Sequence, residues 1–162
     1  MSDAQTKVVR AERFELVDSK GNPRAVLEIR NDAPGLALYD KALRVRAVLA
    51  LADDAPALNL IDDNGNTRAV LSLRGKDGSH LFLYDNGGNL RVALDIQGDD
   101  PGLTLAGRNG KMRAALSTRE DNPELVLLDN SGTPRAGLQL AEDGTPLMEL
   151  ADNNGRVLWQ AP

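Results

Sequence analysis

The chain has 162 residues, of which 41% are hydrophobic, 27% charged and only 3% aromatic, with a net charge of −5 and no cysteine. This length is enough for one domain with a real core, and that core must be aliphatic. The acidic balance, uninterrupted by a basic run, excludes the usual electrostatic footprint of nucleic-acid binding, and the missing cysteine excludes disulfides, thiolate nucleophiles and sulfur-ligated zinc.

The opening stretch, MSDAQTKVVRAERF, contains no apolar run long enough for a signal peptide or a membrane span. A soluble, cytoplasmic chain without a membrane span is therefore expected, with residues 1–7 as a flexible lead-in. From there residues 8–162 read as a single repeat domain. RAVL stands at Arg24, Arg46 and Arg68, and degenerate copies follow as RVAL at Arg91, RAAL at Arg113 and RAGL at Arg135. The arginines are spaced by 22 residues, with one step of 23.

Upstream of each arginine lies an alternating stretch: FELVD at Phe14, LALYD at Leu36, LNLID at Leu58, LFLYD at Leu81, LTLAG at Leu103 and LVLLD at Leu125. A period of two predicts strands. The segments between them (SKGN, DNGN, NGGN; RNDAPG, ADDAPA, AEDGTP) are turn chemistry. Units fall near residues 14–35, 36–57, 58–80, 81–102, 103–124, 125–146 and 147–162, the last with a turn that looks two residues shorter.

Hydrophobic parity sets the register. If Leu16 lies opposite Ala25, then Phe14 meets Leu27, and Phe14, Leu16, Ala25, Leu27 and Ile29 share one apolar face. This pairing calls for a four-residue turn, Ser19 to Asn22, because a three-residue glycine turn puts Arg24 opposite Leu16. The fold class predicted is all-β: an up-and-down antiparallel meander of about seven hairpins. The leucine face is expected to become the core by closing the sheet, or nearly so, into a wide shallow barrel, with a hairpin spiral or solenoid as the alternative. Trp159 is expected to pack at the closure seam.

The second face carries Arg24, Arg46, Arg68, Arg91, Arg113 and Arg135. Guanidinium forks suit phosphate, carboxylate or lipid headgroups, so the row is a candidate anion-binding rim; alternatively each arginine covers an apolar neighbour, stacks on Tyr where one is present and pairs with Asp or Glu of an adjacent hairpin. Phe82, Tyr84, Val126 and Leu128 make that face more apolar in the fourth and sixth units and are candidates for a partner or oligomer surface. His80, the only histidine, has no companion for a metal site or a nucleophile. DDNGN at Asp62 resembles a calcium loop but has Gly65 at the fourth place and Leu73 at the twelfth, so no metal is assigned. No cofactor is expected.

The form strand, Asp-x-x-Gly turn, Arg-Ala-x-Leu strand, opened by VVRAERFELVDSKGNPRAVL, resembles the bacterial β-flower repeat family over about residues 8 to 160. That resemblance implies a shallow barrel whose hairpins spread like petals, similar in outline to the tubby C-terminal domain without its central helix, and it implies no established activity. Tubby domains recognise phosphoinositide headgroups through basic residues, and none of those matches a position here. The expected function is a non-enzymatic repeat scaffold or binding module for a protein partner or for itself. The alternatives are a shallow barrel holding a lipid or other amphipathic anion, and a carboxylate-based hydrolase.

Overall fold

A computed structural model describes residues 8–73 and 78–162, so the lead-in expected at residues 1–7 lies outside the described residues. Fourteen strands follow one another: β1 (Arg13–Val17), β2 (Pro23–Arg30), β3 (Ala33–Tyr39), β4 (Val45–Ala52), β5 (Ala55–Ile61), β6 (Thr67–Leu73), β7 (Ser79–Tyr84), β8 (Leu90–Gln97), β9 (Asp100–Ala106), β10 (Met112–Arg119), β11 (Asn122–Leu128), β12 (Pro134–Leu140), β13 (Pro146–Ala151) and β14 (Val157–Ala161). They form one antiparallel sheet in sequence order, as the repeat predicts.

The expected closure is not present. Among the described residues β1 pairs only with β2 and β14 only with β13, and each strand contacts no others than its sequence neighbours. Every hairpin bonds to the next, and nothing in the strand pairing carries the last back to the first.

The predicted register is observed, with Leu16 opposite Ala25 and Phe14 opposite Leu27, but the turn that delivers it differs. Asp18 N–H donates to Asn22 O at 2.9 Å and Gly21 N–H to Asp18 O at 2.9 Å, enclosing three residues, Ser19 to Gly21. Gly21 sits at φ 82°, a left-handed conformation that other residues adopt at a cost. Parity survives because Val17 pairs with Pro23 while Leu16 pairs with Ala25, leaving Arg24 as the extra residue of a β-bulge. Parity therefore identified the faces correctly and the turn length wrongly, since a bulge restores what a shorter turn shifts. The same register shift recurs before Arg46, Arg68, Arg91, Arg113 and Arg135, whose strand pairs are Tyr39 with Val45, Ile61 with Thr67, Tyr84 with Leu90, Ala106 with Met112 and Leu128 with Pro134.

The seventh hairpin is likewise not shortened. Asp152 N–H donates to Arg156 O and Gly155 N–H to Asp152 O, as in the other units. Leu158 therefore occupies the place of the repeated arginine and Trp159 that of the following alanine, opposite Leu150. At the other end of the sheet three connections are tighter: Asn31–Asp32, Asp53–Asp54 and Glu120–Asp121 are two-residue turns with both φ positive, between 50° and 65°.

The two faces separate cleanly. One row of the leucine face runs from Phe14 through Leu27, Leu36 and Leu49 to Leu125, Leu138 and Met148. Beside it runs a row alternating Leu16, Ala25, Leu38, Ala47, Leu60 and Ala69. No residue that the pairing places on this face is charged, and only Ser79 and Thr118 are polar.

This face is not the core that parity predicts. Leu27 is 48% exposed, Leu71 52% and Leu116 51%, and Trp159, expected at a seam, is 48% exposed on the outer strand. Leucines pointing into a closed barrel would be enclosed by opposite strands, and an open single layer has none. The more sheltered positions lie on the second face, where Val26, at 2% exposure, is the one buried apolar side chain among the described residues. The chain exposes 12084 Å². A compact monomer of its mass exposes roughly 7,900 Å².

Candidate functional site

The six arginines sit at the bulges, next to the turns, and the turn chemistry determines what they meet. Each repeated aspartate first organises its own loop. Asp85 Oδ1 accepts the N–H groups of Gly87 at 2.9 Å and Asn89 at 3.0 Å; Asp18, Asp40, Asp62, Asp129 and Asp152 accept the equivalent pairs. Its second oxygen is then free for the arginine six residues on. Arg91 Nε donates to Asp85 Oδ2 at 2.8 Å and Arg135 Nε to Asp129 Oδ2 at 2.7 Å; Arg46 and Arg68 pair more loosely with Asp40 and Asp62, at 3.4 and 3.6 Å.

The same guanidinium reaches forward to the turn of the next hairpin. Arg24 Nη1 donates to Asp40 O, Arg46 Nε to Ile61 O at 2.9 Å, Arg68 Nε to Tyr84 O at 2.9 Å, Arg91 Nη1 to Gly107 O and Arg135 Nη2 to Asn153 O at 3.0 Å. The row is thus a line of staples between successive hairpins. A planar group with five donors suits this double duty, and lysine does not. These donors are engaged within the chain, which leaves less of each fork for an external anion.

The network favours the charged form of five of these aspartates. Partial burial raises the Asp40 carboxyl, but the Arg44 N–H and guanidinium and the Ala42 N–H outweigh it and hold it at about 2, against the usual 3.8. Asp85 is held well below its ordinary range by the N–H of Asn89 and by Arg91, and Asp129 by the Ser131 hydroxyl and the N–H of Thr133. Asp18 and Asp62 are lowered chiefly by the backbone N–H groups of Asn22 and Asn66.

The fifth hairpin breaks the pattern. Gly107 replaces the aspartate, and a Cβ there would lie 2.5 Å from Arg113 Nε, so the arginine packs against the bare glycine. Arg113 Nη2 reaches only Asn109 Oδ1, at 3.3 Å, and its buried Nη1 has no hydrogen-bond partner. Forward stapling passes here to Lys111 Nζ, bonded to Ser131 O at 2.9 Å, and to Asn109 Nδ2, bonded to Asn130 O at 3.0 Å.

Phe82 and Tyr84 lie on β7, and Val126 and Leu128 on β11, all half-buried on the second face. Three strands separate β7 from β11, so the structure does not bring the two pairs into one patch. His80 stacks on Phe82 with ring centroids 5.3 Å apart, and neither ring nitrogen has a hydrogen-bond partner among the described residues.

A concavity of about 570 Å³ on the second face is lined by Asp95, Asp100, Arg119 and Glu124 among others. Two of its acids are bonded separately: Asp95 accepts from Gln97 Nε2 at 2.9 Å and Asp100 from the Glu120 N–H at 3.2 Å. Among the described residues no group of three or more His, Asp or Glu side chains converges to hold a metal ion. No described helix is long and apolar enough to cross a membrane.

The leucine face is the feature that sequence reasoning recognised and placed elsewhere. It carries two apolar grooves. One, of about 400 Å³, lies between Leu27, Pro34, Leu36, Leu49, Leu51 and Pro56; the other, of about 370 Å³, lies between Leu116, Pro123, Leu125, Leu138, Leu140 and Pro146. The face as a whole is uncharged and continuous over the sheet. No protein-family model matches the chain, and no curated protein matches it in sequence.

Proposed function

We propose that the chain is a non-enzymatic repeat scaffold that acts by binding, with the leucine face as its working surface and a protein, another chain or a second copy, as its partner. The observation that carries this reading is the uncharged face of half-exposed leucines running across the sheet. Such a surface costs free energy for as long as water covers it, at roughly 25 cal/mol per Å² of apolar area. The turn-end network supports the same division of labour, because its aspartates and arginines bond to one another and to backbone carbonyls. Native mass spectrometry of the intact protein is expected to show the 17.4 kDa chain accompanied by at least one further polypeptide. A chain that is always alone overturns the reading.

A second reading draws on the two apolar grooves, each large enough for a segment of an acyl chain. In it the hairpins close into the shallow barrel of the β-flower resemblance, and a lipid or other amphipathic anion occupies the leucine side. An even number of alternating strands makes β1 antiparallel to β14, which closure requires. A co-purified small amphiphile without a second polypeptide is the result that selects this reading over the first.

A further inference from the structure

We propose that the leucine face is covered by the leucine face of a second copy of this chain, so that the stable unit is a two-layer sandwich built from two single-layer sheets. This rests on the binding-scaffold reading and specifies its partner. Domains are held by two packed layers around one core, and this chain supplies one layer and one apolar face.

Area is the first argument. The chain exposes 12084 Å², an excess of roughly 4,000 Å² over a compact monomer of its mass. A stable interface needs only about 800 Å² from each partner.

Charge is the second. A partner offering an ordinary mixed surface would have to desolvate polar groups against a face on which the pairing places no cation, no carboxylate and only Ser79 and Thr118 as polar side chains. A second copy presents the same uncharged area. Relief is the third. In the row Leu16, Ala25, Leu38, Ala47, Leu60, Ala69 the leucines stand two strands apart, roughly 10 Å, with an alanine hollow of the same spacing between them. Two copies displaced by one strand place the knobs of each in the hollows of the other. A two-fold contact of this kind is isologous and closes at a dimer.

A bilayer fits less well. The apolar positions of β2 on this face, Ala25, Leu27 and Ile29, span roughly 13 Å along the strand, about half the height of a transmembrane barrel's apolar band. The competing site for self-association is the outer edge of β14, where Val157–Ala161 carries no charge to deter pairing with another strand.

The absence of cysteine makes the test direct. Single variants Leu71→Cys and Ser72→Cys place a thiol on opposite faces of β6. In an isolated chain the Leu71 position reacts faster with a maleimide, because Leu71 is 52% exposed while Ser72 is half-buried. In the sandwich the order reverses, the Leu71→Cys thiol reacting at least about tenfold more slowly and regaining its rate on dilution. Sedimentation is expected to give a dimer, and Leu94→Glu to weaken it by about 100-fold or more, since two copies bury two carboxylates. If Leu94→Glu does not fold, the cysteine pair still decides.

The proposal is overturned by a monomer at the highest soluble concentration, by unreversed labelling, by a dimer that survives Leu94→Glu but is lost in Trp159→Pro at the β14 edge, or by Leu71→Cys protection that appears only with phosphatidylcholine vesicles. A monomer that binds a different protein removes this inference and keeps the scaffold reading; a monomer that binds nothing removes both.

Discussion

The two faces of this sheet are built from the same strands and satisfied in different ways. On the second face, toward the turns, most of the repeated aspartates and arginines find partners within the chain: Asp85 holds its loop and Arg91, and Arg91 holds the next hairpin. On the leucine face the side chains have only their lateral neighbours, and Leu27, Leu49 and Leu71 remain about half exposed. Hydrogen bonds are directional and short, so two adjacent hairpins can complete them. Burial of apolar area needs a second layer, which a single meander cannot provide. Local order in the repeat therefore leaves the apolar surface uncovered.

The largest expected effect comes from charging the face that lacks charge. Leu94→Glu or Leu116→Lys is expected to abolish association through the leucine face, read as a fall in sedimentation coefficient with the β-sheet circular dichroism retained. The same charge at Ser117, on the opposite face of β10, is expected to leave association unchanged; equal effects at Leu116 and Ser117 would erase the distinction between the faces.

Acid should attack the other face. Asp18, Asp40, Asp62, Asp85 and Asp129 have folded pKa values below the unfolded value of 3.8, Asp40 lying at about 2. The unfolded chain thus takes up protons first as pH falls. The stability these groups contribute is fully present above about 4 and is lost as pH drops toward 2. Thermal unfolding at pH 5, 4, 3 and 2 should show the midpoint falling mainly in the last two steps, and Asp85→Asn should flatten part of that fall.

A smaller effect isolates the turn backbone. Gly65 sits at φ 87° with open space around its Cβ position, so Gly65→Ala is expected to cost roughly 1 kcal/mol through conformation alone. Denaturant titration is expected to show a lower midpoint with an unchanged slope. Smallest is a gain: Gly107→Asp supplies the acceptor that Arg113 lacks, and a slightly higher unfolding midpoint is expected, provided Arg113 swings off the glycine. A lower midpoint would show that the close packing of Arg113 on Gly107 is worth more than the missing pair.

Much of the local structure was legible in the residues. A 22-residue step with period-two stretches reads as paired strands, and the demand that Leu16, Ala25, Phe14 and Leu27 share a face gave the register later seen. The bulge at Arg24 was not legible, because a four-residue turn and a three-residue turn with a bulge put the same residues on the same faces. The role of the arginines was half legible: aspartate partners were anticipated, but from adjacent hairpins. They come from the arginine's own turn, and the adjacent hairpin contributes carbonyls that leave no trace in side-chain identity. The seventh unit reads two residues shorter only if Arg156 is aligned with the repeat arginine, whose place belongs to Leu158.

By itself the sequence determined the strands, their order, their register and the division into an apolar and a polar face, because each depends on side-chain alternation and on turn residues within one repeat. Tertiary structure alone decided that the sheet stays open, that the leucines are exposed to solvent and that five of the six repeated arginines clamp the following turn. Those outcomes depend on curvature, bulge geometry and contacts across repeats, and a pattern that recurs from unit to unit carries no information on where the first unit stands relative to the last.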